Sequence, residues 1–186
     1  MPYAGQIWTD HITGDIIEMI ATAKETQGEK VIFKLTLKPG GFKPVEHLHI
    51  KQDEHFEILK GEFGYVLDGK ESRAIAGEKI TLPRGHGHTH YNASASEDLV
   101  MVQTITPALD IAVFLENLFG LMADGKVKNG DPGFLQVMLW SKYYESKTYL
   151  AKLPLAIQYV VRGIAVPIAR LKGLKPVYKK YSGFDA

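Results

Sequence analysis

His47 and His49 stand two residues apart, and five residues further on Glu54 lies among strand-like hydrophobics. On strands, His47 and His49 point to one face, and Glu54 shares parity with Phe56 and Ile58, side chains expected to face a core. A carboxylate turned inward is costly unless something positive meets it. Imidazoles and a carboxylate converging on one point suggest a divalent cation as the missing charge, and His88, just past the turn Pro83-Arg84-Gly85-His86-Gly87, is the natural fourth ligand. These donors suit iron, manganese, nickel, copper or zinc rather than calcium. Four protein ligands leave an octahedral ion two open positions, the mark of a catalytic or ligand-binding site rather than a closed structural one.

Six of the seven histidines fall between positions 47 and 90. His90 and Asn92 share the parity of His88, which places them beside the ligands, either supporting them or at the rim. His55 points opposite to Glu54, and His86 lies in the turn, so both are expected outside the pocket. Gly61, Gly77 and Gly85 are read as turn positions that need positive φ.

Positioning these groups is the task of short β-strands. Val31, Phe33, Leu35 and Leu37 alternate with Ile32, Lys34 and Thr36 before Pro39-Gly40-Gly41. Phe63, Tyr65 and Leu67 run into Asp68-Gly69, a strong two-residue hairpin signal. Further strands are expected up to Ala76-Gly77, over Ile80-Thr81-Leu82 and over 99–105. Such spacing means an antiparallel sandwich or barrel.

The residues in their order resemble the cupin superfamily. Gly41, five residues, His47-Leu48-His49, four residues, Glu54, six residues and Gly61 fit the first cupin motif. Gly77, five residues, Pro83-Arg84-Gly85, two residues, His88, three residues and Asn92 fit the second, fifteen residues later. The resemblance covers residues 30–106 well and the first 29 only loosely. It implies a mainly β fold, a jelly-roll β-barrel over 1–106, with one metal ion held by His47, His49, Glu54 and His88. It also implies a small-molecule substrate or ligand and pairing of barrels into a homodimer.

From about Pro107 the period changes. Ile111, Phe114, Leu115, Leu118 and Met122 predict a helix that stops near Asp124-Gly125, ahead of a polar loop over 125–133. A second helix begins at Phe134 and runs towards Tyr144. A third carries Leu153, Ile157, Val160, Val161, Ile164 and Ile168 on one stripe, with Pro167 expected to kink or end it. Residues 107–186 thus form a C-terminal α-helical extension. Eight basic residues and no acid lie between Lys147 and Lys180, which would suit an anionic membrane surface. The stripe is instead expected to pack on the barrel or a partner subunit, because most amphipathic helices face a core. Arg162 at its centre disfavours a membrane span.

Composition adds exclusions. With 45% apolar and 23% charged residues among 186, the chain is ordinary globular material. Its net charge of +1 asks for no nucleic-acid partner. The charge is split, −4 over 1–106 and +5 over 107–186. Cysteine is absent, which removes thiolate sites and disulfides. Nothing in Met1-Pro2-Tyr3-Ala4-Gly5-Gln6 reads as a targeting signal, so the cytoplasm is the default compartment.

Three functions remain open at this level. The resemblance to quercetinase-like dioxygenases implies an enzyme whose metal binds an enolate or phenolate oxygen beside O₂, with Glu54 as ligand and proton acceptor. A non-catalytic metal-dependent binding module and a cupin isomerase or epimerase are the alternatives, since one scaffold hosts many reactions.

Overall fold

A computed structural model of the chain describes residues 1–127 and 130–184. Lys128 and Asn129, within the expected 125–133 loop, lie outside the described residues, as do Asp185 and Ala186. In chain order the strands are β1 (Ile7–Thr9), β2 (Ile16–Ala21), β3 (Val31–Leu37), β4 (His47–His49), β5 (Asp53–Lys60) and β6 (Glu62–Leu67). Then come β7 (Lys70–Ile75), β8 (Lys79–Leu82), β9 (His88–Asn92) and β10 (Leu99–Thr106). The remainder holds α1 (Ile111–Ala123), α2 (Phe134–Tyr143), β11 (Thr148–Leu150), α3 (Leu155–Leu171) and α4 (Lys179–Ser182).

The strands form two antiparallel sheets of jelly-roll type, ordered β1-β2-β3-β10-β5-β8 and β11-β4-β9-β6-β7. The core follows the alternation. Val31, Phe33, Leu35 and Leu37 are buried from β3, and Leu99, Met101 and Ile105 from β10. The sheets meet where Phe56 lies 4.9 Å from Phe63, ring to ring. The Asp68-Gly69 hairpin has φ of 49° and 78°, the double positive that a two-residue turn of this type needs.

Strands β1 and β2 went unpredicted because their pattern is weak. β1 has three residues, and the β2–β3 register shifts between Met19 and Ala21, which breaks the alternation. Their connection nonetheless reaches towards the site. Asp15 accepts the Lys38 and Phe42 amide N–H groups at 2.6 Å each, fixing the loop that leads into β4. A Cβ on Gly41 would sit 2.3 Å from Asp15 Oδ1, so this glycine makes room for a carboxylate.

The helical half shares the barrel's core. Phe119 of α1 packs on Trp8, Phe33 and Phe42 at ring distances of 5.7, 6.1 and 6.0 Å. Phe114 packs on Trp140 of α2 at 5.0 Å. Asn117 ties the C-terminal segment to α1, donating to Ser182 Oγ and accepting from the Tyr178 amide. Strand β11 was not foreseen. Three residues between two helices carry no periodicity, yet they pair with β4 and extend the second sheet.

Of the two outcomes expected at Pro167, an end is excluded, since α3 runs on to Leu171. Four residues earlier stands Gly163, whose flexible backbone tolerates the ring at the carbonyl it would otherwise crowd. Of the two partners expected for the stripe, the barrel is not one. The buried face is Gln158, Ala165, Val166 and Ala169, while Ile157, Val160, Ile164 and Ile168 are exposed. Small side chains let α3 approach α2 closely, so the large ones are left outside.

Asp15→Ala should destabilise the fold by about 3 kcal/mol, because it strands one buried and one part-buried N–H donor that now meet a charged acceptor. Urea denaturation measures this directly. A loss under about 0.5 kcal/mol, the range of ordinary surface changes, would show that the loop is held by other contacts.

Candidate metal centre

β4 and β9 lie side by side with His47 opposite His88, and His49 shares the face of His47. Glu54 comes from β5 in the facing sheet. One ligand atom from each of His47, His49, Glu54 and His88 lies within 4.8 Å of the others, and all four residues are buried. Glu54 Oε1 is 3.1 Å from His49 Nε2, and Oε2 is 3.6 Å from His88 Nε2.

The ring orientations follow from hydrogen bonds at the far nitrogens. His47 Nδ1 donates to the Val45 carbonyl at 2.8 Å, and His88 Nδ1 donates to the His86 carbonyl at 2.9 Å. A carbonyl only accepts, so both neutral rings carry their proton on Nδ1 and turn the Nε2 lone pair into the cluster. His49 Nδ1 meets Thr148 Oγ1 at 3.1 Å. His49 Nε2, His88 Nε2 and Glu54 Oε2 are buried without a regular hydrogen-bond partner. Lone pairs of borderline donors aimed at one buried point fit a divalent transition ion, which satisfies them together.

Electrostatics agree with that fit. Burial pushes His47 well below the usual imidazole value, and burial also lowers His88, so these rings are neutral at pH 7. Burial alone would raise Glu54, but the close approach of His49 and the other imidazoles holds it well below the ordinary carboxylate range. Neutral imidazoles beside an ionised carboxylate are the protonation states that metal binding requires.

His90 lies beside the ligands in the same cavity, whereas Asn92 sits in a turn away from them. Neither hydrogen-bonds a member of the cluster. Asn92 donates to the Leu37 and Glu97 carbonyls and accepts from the Ser94 amide, bracing a turn. His90 stands among Phe42, Phe56 and Phe63 at ring distances of 4.9–6.0 Å, and both its nitrogens are unpartnered. Burial there pushes its pKa down to about 4. The groups that do orient the cluster are two carbonyls and Thr148. No sequence signal marks Thr148, which reaches His49 across 99 residues through β11. As expected, His86 is on the surface, paired with Asp68, and His55 bonds Thr81 and Thr106 outside the cluster.

The cluster opens into a cavity of about 70 Å³. His47, His49, Glu54 and His90 stand at one end beside Gln103 and Thr148, and Phe114, Leu115, Leu118 and Trp140 of α1 and α2 form much of the apolar wall. Among the described residues that line it, none is Lys or Arg.

Thr148→Val should weaken metal retention by about ten- to a hundredfold while Thr148→Ser keeps it, as chelator competition would show. The metal-free protein should also be acid-sensitive in a defined window. His90 has a folded pKa of about 4 against 6.5 for the free side chain, so the unfolded chain binds the extra proton between those values. Stability is therefore full above pH 6.5 and falls as pH drops towards 4, by roughly 3 kcal/mol for this residue. His90→Phe should flatten that slope in melting experiments, and an unchanged slope would place the acid response elsewhere.

Comparison with known proteins agrees with this architecture. The family model described as "Cupin domain" matches residues 33–105. Oxidoreductase iacF of Pestalotiopsis fici is 33% identical over 115 residues, 58% of this chain and 55% of that protein. The chain thus spans little more than half the length of that relative. Probable oxidoreductase virH of Hypocrea virens is 33% identical over 159 residues, 78% of this chain and 70% of that protein. Among solved structures, KdgF from Halomonas sp. has 18% identity and a TM-score of 0.46, covering 56% of this chain and 90% of that one. An RmlC-like cupin from Shewanella frigidimarina has 20% identity and a TM-score of 0.45, covering 56% and 85%. The matched span runs from β3 to β10 and carries all four residues of the cluster, and the chain belongs to the cupin family.

Proposed function

We propose that this cupin is a metal-dependent oxygenase acting on a small, largely apolar molecule with an enol or phenol group. The observation that carries it is the cavity, which joins the His-His-Glu-His cluster to a largely apolar wall with no Lys or Arg among the described lining residues. A phosphosugar, often the substrate of the isomerase alternative, would meet no lysine or arginine among the described lining residues. The names of the two curated relatives, both oxidoreductases, support the class of reaction.

His47, His49 and His88 through Nε2, and Glu54 through one carboxylate oxygen, would hold the ion. A divalent transition ion bound there supplies Lewis acidity, which acidifies a coordinated hydroxyl, and redox chemistry with O₂. Glu54 is the base: its Oε2, free of hydrogen bonds, takes the proton of the substrate hydroxyl. The surroundings that keep Glu54 ionised make it a weak base, which suffices for an acidic enol or phenol. His90, neutral and unpartnered, offers one hydrogen bond to a second polar group of the substrate. The apolar side chains of α1 and α2 exclude water and orient a planar molecule by contact.

Protein purified without chelators should carry about one transition ion per chain and consume O₂ with a member of an enol and catechol panel. Glu54→Gln should lower turnover by roughly a hundredfold or more. His90→Phe should raise KM about tenfold, the loss of one substrate hydrogen bond, with metal content unchanged. Tight binding of a catechol without O₂ uptake under any metal would replace the oxygenase with a binding module.

A further inference from the structure

Helix α3 presents an apolar stripe that nothing in the described chain covers. Ile157, Val160, Ile164, Ile168 and Leu171 recur at three- and four-residue steps, which places them on one face over about 21 Å. Val160 is 74% exposed, Ile164 69% and Leu171 88%. The helix cannot simply roll to hide them. Gln158 donates to the Leu150 and Leu153 carbonyls and accepts the Leu150 amide, while Arg162 donates to the Ser141 carbonyl. These bonds fix the opposite face inward.

Charge indicates what the stripe meets. At 100° per residue, Arg170 and Lys172 fall on the two flanks of the stripe, each roughly 100° from its centre. Both are exposed, and neither joins an ion pair among the described residues. Of the eight basic residues between Lys147 and Lys180, Lys152 and Lys180 already pair with Glu46 and Asp124. A second copy docking here through the same helix would bring the same cations and, from α3 itself, no carboxylate to meet them. An anionic lipid surface supplies both halves of the match, acyl chains for the stripe and phosphates for cations that reach out from its edges. No helix among the described residues is long and apolar enough to cross a membrane, so the contact is with the surface alone.

We propose that α3 is an interfacial helix that seats this protein on an anionic bilayer, its stripe in the headgroup–acyl boundary and Arg170 and Lys172 at phosphate level. This exposure leaves the stripe off the barrel, one of the two places the sequence reading gave it.

Co-sedimentation of the full-length protein with phosphatidylcholine vesicles, with and without one part in three of phosphatidylglycerol, tests it. Binding is expected to the anionic vesicles only, weakening as salt rises. The double variant Arg170→Gln/Lys172→Gln should lose about thirtyfold in partitioning, roughly fivefold per cation. Val160→Asp/Ile164→Asp should abolish binding. All four positions are exposed, so thermal melts and far-ultraviolet circular dichroism of the variants should match the parent. Absence of sedimentation at low salt, or equal sedimentation with neutral vesicles, would overturn the proposal. So would a dimer in sedimentation equilibrium that Val160→Asp dissociates, since a second copy would then cover the stripe.

Discussion

Three imidazoles and a carboxylate buried in an apolar barrel are the constraint around which the rest of this structure is arranged. Left alone, such a cluster costs several kcal/mol, because water that would solvate the groups is excluded. The chain limits that cost at every far nitrogen. Val45 and His86 offer backbone carbonyls from the residues just ahead of β4 and β9, and Thr148 offers a hydroxyl. With those bonds made, the unsatisfied lone pairs all point inward, to the place a cation would occupy.

The loops around the barrel are explained by the same requirement. Asp15 holds the chain between β3 and β4, which sets where His47 enters the sheet. Gly41 has no side chain because that carboxylate needs its space. Helices α1 and α2 then close the wide end of the barrel with Phe119, Phe114 and Trp140. Their apolar wall lowers the local dielectric, so the interactions between Glu54 and the imidazoles are stronger than they would be in water.

Closing the barrel has a consequence on the outside. α3 reaches α2 through Ala165, Val166 and Ala169, small side chains that permit close approach. The large apolar side chains of the same helix are left facing out, in the part of the chain that carries the net positive charge. The protein is thereby divided into an acidic barrel half that encloses the cluster and a basic half that exposes a hydrophobic face.

Local patterns were legible in the sequence, since a period of two, a period near 3.6 and a turn dipeptide each report on neighbours along the chain. The strands from β3 to β10 and the extents of α1 and α2 follow from them. So does the inward turn of His47, His49 and Glu54, set by their parity, while His88 joins them through the turn before it and the family resemblance of the motifs. Hydrophobicity misled where packing depended on size, as on α3, whose buried face is its small one. His90 illustrates the same limit: its parity is visible in the sequence, but the three phenyl rings that isolate it come from β5, β6 and the loop before β4. By itself, then, the sequence determined the barrel and the four groups of its cluster. Only the tertiary structure decided that β11 joins the second sheet, that Thr148 orients His49, and which face of α3 meets solvent. Each of these depends on where a distant segment docks, and docking is a balance of shape and burial that no local spacing encodes.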